Sequence, residues 1–316
     1  MNIIVTGPYS ETINQFSEVL SSHPQIDIVE SGINDLLFNK NGLIELGRSL
    51  ETCFHVNRLS KKIREFDSLC RNHLLSNEYP ILDNFLDEIV ALEYEGMPFC
   101  DRSELSPVKT ILFEQKRRKA KINKRKPKMG SMYIPTEREH FRKNAVDFLN
   151  QLIRNRTKKN THSLIISPGI YPAISRHLLF IPESVIVCLH HNPLEMYALY
   201  SKENDPWLGS NPDRFCSWFV NSRLIFQQEK QHIQSMIDIQ YEEWVQNPEL
   251  NVLGIFKKLG IDEHSLNFEK FYDDKKRYTA DYKTVCTKRE IDMIKSRCTS
   301  SRPVSNKVHP AGGKND

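Results

Sequence analysis

His190 and His191 stand side by side at the end of an apolar run, Val185 to Leu189, and Asn192-Pro193 follows them. An imidazole can move a proton near neutral pH, and a turn from strand to helix offers unpaired backbone N–H groups to an anion. The pattern marks a candidate phosphate or sulfate site, with Pro193 suited to the first turn of a helix. A second turn of similar build lies near the N-terminus, where Asn2 to Thr6 gives way to Gly7-Pro8-Tyr9-Ser10. Gly7 supplies backbone freedom there, and Ser10 and Thr12 supply hydroxyls.

Such groups need strands to carry them and helices to present them. NIIVT (2–6) and VIVCL (185–189) read as buried strands from their continuous apolar, largely β-branched character. Ile13, Phe16, Val19 and Leu20 keep a helical period over Glu11 to Ser21, His23-Pro24 ends that helix, and Ile26 to Val29 forms a second strand reaching Glu30. Residues 33–99 read as mostly helical, in LLFNKNGLIELGRSL, VNRLSKKIREFDSLCRNHLL and PILDNFLDEIVALEYE, with Leu59, Ile63, Phe66 and Cys70 on one face. A helix over Thr136 to Arg154, a strand at SLIIS (163–167), a helix over 213–235, a strand at Met236 to Gln240 and a helix from Leu250 to Leu259 closed by Gly260 complete the pattern. Strands alternating with helices predict an α/β fold whose parallel sheet is covered on both faces. The expected organisation is a single domain over 1–298 with a helical insertion at about 33–160, and a flexible tail over 299–316.

Charge is concentrated rather than large. The net charge is +4, yet nine of the thirteen residues from Lys116 to Lys128 are basic and none is acidic, so the rest of the chain is slightly acidic. That run reads first as a solvated face or mobile loop, with an acidic glycan or a nucleotide as the functional alternative. It has no interleaved aromatics, so nucleic acid is not the expected partner. Seven scattered cysteines without a CxxC pair suit a reducing compartment, and the eleven histidines do not fall at zinc-ligand spacing from them, so no metal is expected. No secretory signal is visible and no apolar stretch approaches the ~20 residues of a membrane span, which makes the cytoplasm the expected location. Trp207, Trp218 and Trp244 read as core or sheet-cover residues rather than sugar platforms.

Three segments in order along the chain, TGPYSETINQFSEVLSSHP, His191-Asn192-Pro193-Leu194-Glu195 and Tyr241-Glu242-Glu243-Trp244 through Leu259-Gly260, resemble the sulfotransferase family. The resemblance spans roughly residues 1–275 and is strongest over 163–261. It implies a P-loop NTPase-like fold and 3′-phosphoadenosine-5′-phosphosulfate (PAPS) as co-substrate, without a metal. The acceptor it implies is a hydroxyl of a carbohydrate or small molecule. Gly7, Ser10 and Thr12 would then cradle the donor's 5′ end, while His191 and Asn192 would meet its 3′-phosphate. Glu30 would be the base, with an exposed strand-end carboxylate as the alternative reading. His190 and His191 are the rival base pair, or simply part of a helix-capping turn.

The chain also departs from the family. His191 stands where the family has an arginine that grips phosphate with two parallel hydrogen bonds, and Leu199 stands where it has a serine. No Lys or Arg lies between Met1 and Lys40, and Glu11 adds a negative charge to the first turn. Sulfuryl transfer depends on positive charge at the bridging oxygen. Two readings follow: a PAPS-dependent sulfotransferase with an atypical donor site, or a catalytically degenerate member of that fold that binds or regulates. A nucleotide kinase would need a Gly-Lys-Ser/Thr loop that GPYSET lacks.

Overall fold

A computed structural model describes residues 1–29, 32–52, 56–96, 115, 130–159, 161–169, 174–262 and 280–298. Glu30, the basic run 116–128 and the tail 299–316 lie outside the described residues. The strands are β1 (Asn2–Thr6), β2 (Ile26–Ile28), β3 (Val90–Gly96), β4 (Gly130–Pro135), β5 (His162–Ile166), β6 (Ser184–His190) and β7 (Met236–Gln240). Five of them form a mostly parallel sheet in the order β2-β5-β1-β6-β7. The expected α/β class is what the fold has. Ile3 to Val5 and Ile186 to Leu189 are almost wholly buried, which is why both runs are apolar without alternation.

The described residues fall into two compact units. One comprises Met1–Asn2, Asp27–Ile165 and Arg176–Ser184. Its helices are α2 (Ile33–Phe38), α3 (Leu43–Thr52), α4 (Val56–His73), α5 (Tyr79–Ile89) and α6 (Arg138–Arg156). Phe66, Phe85 and Phe148 meet ring to ring in its core, with Phe85 and Phe148 stacked at 4.6 Å. Beside that core the fully buried Glu78 takes Arg156 in two bonds of 2.7 Å. The end of the helical reading is corrected here. PILDNFLDEIVALEYE stays helical only to Ile89, and Val90–Gly96 is a strand antiparallel to Gly130–Pro135. Leu92, Tyr94 and Ile134 are partly exposed on this two-stranded sheet, so its alternation was the available signal, and its partner lies far along the chain.

The other unit comprises Ile3–Ile26, Ile166–Ser175 and Val185–Asp316. After β1 comes α1 (Ser10–Ser21), and after β6 comes α8 (Pro193–Lys202), the short α7 being Ile174–Leu178. α9 (Pro212–Lys230) is followed by β7, α10 (Tyr241–Gln246), α11 (Pro248–Leu259), α12 (Tyr282–Val285) and α13 (Lys288–Cys298). Helix α9 ends at Lys230, five residues short of the expected 235. Met196, Tyr197, Ala198 and Leu199 of α8 are all buried, in one core with Phe215 and Phe219 of α9 and Ile294 of α13. A helix covered on that much of its circumference cannot show a clean amphipathic period. Gly260 ends α11 in the left-handed region at φ 67°, and the Ile261 N–H returns to Phe256 O at 2.9 Å. Among the described residues, no helix is long and apolar enough to cross a membrane.

Candidate functional site

Strands β1, β6 and β7 belong to the second unit, and their carboxyl ends carry Gly7-Pro8, His190-His191-Asn192 and Gln240-Tyr241-Glu242. Crevices outside the carboxyl ends of strands are the usual ligand sites of such sheets. Gly7 is required by the close approach of β1's end to β6, because a Cβ there would lie 2.8 Å from Leu189 O. Asn192 acts as a cap: its side chain accepts from the Leu194 N–H at 2.9 Å and starts α8, with Pro193 at the first helical position.

His191 is buried and spoken for. Thr12 donates its hydroxyl to Tyr9 O at 3.0 Å, so its oxygen accepts from His191 Nε2 at 2.9 Å. The ring lies tilted on Tyr241 at 4.6 Å and meets Tyr9 edge-on. His191 Nδ1 lies 3.4 Å from Glu242 Oε1 without a directed hydrogen bond, a contact that is an ion pair only with the imidazole protonated. Glu242 also accepts from the Asn192 N–H at 2.9 Å and from Gln240 Nε2 at 2.5 Å. Burial raises its carboxyl pKa, but His191, Gln240 and the Asn192 N–H outweigh burial and hold it below the ordinary range. The first turn is tied down as well. Tyr9 donates to Glu203, and Tyr200 donates to Pro8 O at 3.1 Å. Burial, reinforced by Glu203, raises the Tyr9 phenol far above its ordinary pKa.

Glu195 places a second carboxyl group near Glu242 at this elbow. Burial, then Glu242 and Asp281, raise its carboxyl to about 7. Two like charges ~4 Å apart at an effective dielectric of ~20 repel by about 4 kcal/mol, so carboxylates here oppose a polyanionic ligand.

His190 has the opposite setting. As the last residue of β6 it reaches Asp238 with Nε2 at 2.8 Å and packs edge-on against Phe226 of α9. Lys230 donates to the other Asp238 oxygen. The His190 bond, with Lys230 adding to it against burial, lowers Asp238 to about 2. These groups wall a cleft of ≈ 260 Å³ whose lining also includes His191, Pro8 and Gln240 from the strand ends and Trp218, Phe219 and Arg223 from α9. Aromatic walls with a few placed polar and cationic groups suit a small ligand that carries negative charge.

The expected site residues thus divide. Gly7, Thr12, His191 and Asn192 come together, but as a packed and mutually bonded elbow. Ser10 opens α1 with an exposed side chain. Glu30 lies outside the described residues. Leu199 is buried, and Ser201 donates to Gly209 O rather than toward the elbow. Trp244 is buried and Trp218 lines the cleft, whereas Trp207 is 70% exposed with the Arg214 guanidinium 5.3 Å over its ring, against the core reading. Tyr9, Glu195, Lys230 and Asp238 were missed. Asp238 alone had a signal, an acid between two buried isoleucines of a strand.

No protein-family profile matches the chain, and no curated protein matches it. Among solved structures, it is similar to the sulfotransferase domain of the Synechococcus PCC 7002 olefin synthase, with 13% identity and a TM-score of 0.45, covering 94% of each chain. The sulfotransferase domain of the curacin biosynthetic pathway shows 12% identity and a TM-score of 0.43, covering 94% of this chain and 97% of that one. A Mycobacterium tuberculosis sulfotransferase, STF1, shows 12% identity and a TM-score of 0.40, covering 95% of this chain and 76% of its own.

Proposed function

We propose that this chain is a sulfotransferase-like protein that binds a small anionic ligand in the cleft at the ends of β1, β6 and β7, without transferring sulfuryl groups. One observation carries the reading. Thr12 and His191, which the sequence resemblance assigns to the donor, are buried and satisfy each other at 2.9 Å. A donor phosphate would have to break that bond and displace Tyr9, then face Glu195 and Glu242, with no fork of an arginine to compensate. The cleft, which the buried His191 also lines, offers Arg223, Lys230 and His190 to an anion without breaking that bond. Among the described residues, the buried thiols of Cys70, Cys188 and Cys286 support a reducing compartment such as the cytoplasm.

A second reading keeps PAPS-dependent transfer to a hydroxyl of a carbohydrate or small molecule. Its support is the arrangement of Gly7 and the start of α1 after β1, a helix N-terminus without a side-chain cap, together with the nine basic residues of 116–128 as a supply of charge. Incubating the full chain with labelled PAPS and a panel of hydroxyl acceptors separates the two. We expect no product above background. Turnover that His191→Ala lowers would overturn the binding-only reading.

A further inference from the structure

Among the described residues, one group of three potential metal ligands stands together: Cys188, His190 and Asp238, whose donor atoms all lie within 4.8 Å of one another. We propose that they form a site for Zn²⁺ or a similar borderline-soft divalent ion, with one coordination position open to the cleft. This inference stands independently of the ligand-binding reading above.

The arrangement follows from strand geometry. β6 and β7 pair in parallel with Cys188 opposite Asp238, so their side chains stand on the same face about 4.8 Å apart at the backbone. His190 is two residues beyond Cys188 and shares that face through the period of two. The linear spacing therefore hides the site. Cys188 and His190 are close in sequence, but the third donor comes from a strand 48 residues past His190.

The chemistry suits the donors. Thiolate, imidazole and carboxylate with an open fourth position are the make-up of catalytic-type zinc sites rather than closed structural ones. At ordinary zinc–nitrogen and zinc–oxygen distances of about 2.1 Å, a tetrahedral centre separates the two ligand atoms by about 3.4 Å. His190 Nε2 and Asp238 Oδ1 are 2.8 Å apart, joined by one hydrogen bond, so a metal taking the place of its proton requires only a small opening. Cys188 is fully buried beneath them and holds its proton tightly, its thiol pKa being raised by burial and by Asp238. Binding forms the S–metal bond as the Sγ proton leaves to solvent, and the N–metal bond as the Nε2 proton is given up while Nδ1 carries the ring's one proton, so that the imidazole binds neutral. His190, Asp238 and Phe226 line the cleft from which a water or an anionic oxygen would complete the coordination.

Lys230 is the competitor. Its ammonium already neutralises the Asp238 oxygen not bonded to His190, and it lies at the exposed end of α9, so it can swing away. Removing it must favour the metal, whereas a purely structural triad would only lose an ion pair.

The test titrates the reduced, chelator-stripped full chain with Co²⁺ and then displaces the cobalt with Zn²⁺. We expect a sulfur-to-cobalt charge-transfer band in the near ultraviolet that saturates at one equivalent and is lost on adding zinc. Cys188→Ser abolishes the band and Asp238→Asn weakens binding at least tenfold, each with an unchanged circular dichroism spectrum. Lys230→Met tightens binding by about tenfold. Absence of the band in the native chain, or its survival in Cys188→Ser through one of the other cysteines, overturns the site. If Cys188→Ser fails to fold, Asp238→Asn and Lys230→Met still decide: equal affinity across native and both variants overturns the proposal.

Discussion

Two adjacent histidines, one the last residue of β6 and one just past it, lead opposite lives. His191 is buried, bonded to Thr12 and set against Glu242, whereas His190 is partly exposed on the cleft wall and bonded to Asp238. Each imidazole takes a carboxylate from β7 or the turn after it. The surroundings then diverge: Glu195, Glu242 and Asp281 gather around the elbow, and Arg223 and Lys230 stand at the cleft. Position in a strand-to-helix turn is therefore insufficient to make an anion site. What decides is whether the donors are already spent within the protein and which sign of charge rings them.

The comparison can be broken at the closed side first, where the largest effect is expected. Gly7→Ala places a methyl group 2.8 Å from a backbone oxygen that cannot yield, and it should cost about 2–3 kcal/mol in denaturant unfolding. A neutral result would mean that the two strand ends are not locked together. Thr12→Val comes next. It keeps the shape but leaves the buried His191 Nε2 without its acceptor, for a loss of about 1–3 kcal/mol.

The pH dependence separates the two sides by sign. Glu195 has its pKa raised from 4.5 to about 7, so the folded state binds more protons than the unfolded one between those values. Its contribution is fully present below pH 4.5, declines as pH rises to about 7, and is gone above that. Glu195→Gln should remove this decline, on the order of 1 kcal/mol after allowance for solvent screening. Asp238 has its pKa lowered from 3.8 to about 2, so its stabilisation is present above pH 3.8 and lost as pH falls through about 2. Asp238→Asn should remove only that acid limb. Melting curves at a series of pH values check both, and equal slopes in the native chain and the two variants would erase the distinction. Smallest is Lys230→Met, whose ion pair is half-exposed on the lysine side and should cost less than about 1 kcal/mol. A loss as large as that of Thr12→Val would make the cleft side as locked as the elbow.

Much of the fold was legible because burial writes itself into local pattern. NIIVT and the core of VIVCL are strands where the apolar runs place them, since a strand covered on both faces admits little else, and MIDIQ shows the alternation of a strand with one face open. Val90–Gly96 escaped because a helix runs directly into it and its partner strand is remote. The site was legible in its residues but not in its bonds. Thr12 and His191 meet across 179 positions, and Asn192 meets Glu242 across 50, separations over which no periodicity carries information. Tyr9, the side chain that fills the first turn, gave no sign beyond its place between Pro8 and Ser10. Cys188 read as a scattered cysteine and His190 as half of a base pair, and nothing joined the two to Asp238 until β7 set it beside them.

The central claim is that the elbow is closed to the donor nucleotide. Calorimetric titration of the full chain with 3′-phosphoadenosine-5′-phosphate tests it before any acceptor is known. The account predicts no binding heat up to millimolar nucleotide. Saturable binding in the micromolar range, lost in His191→Ala, would contradict it.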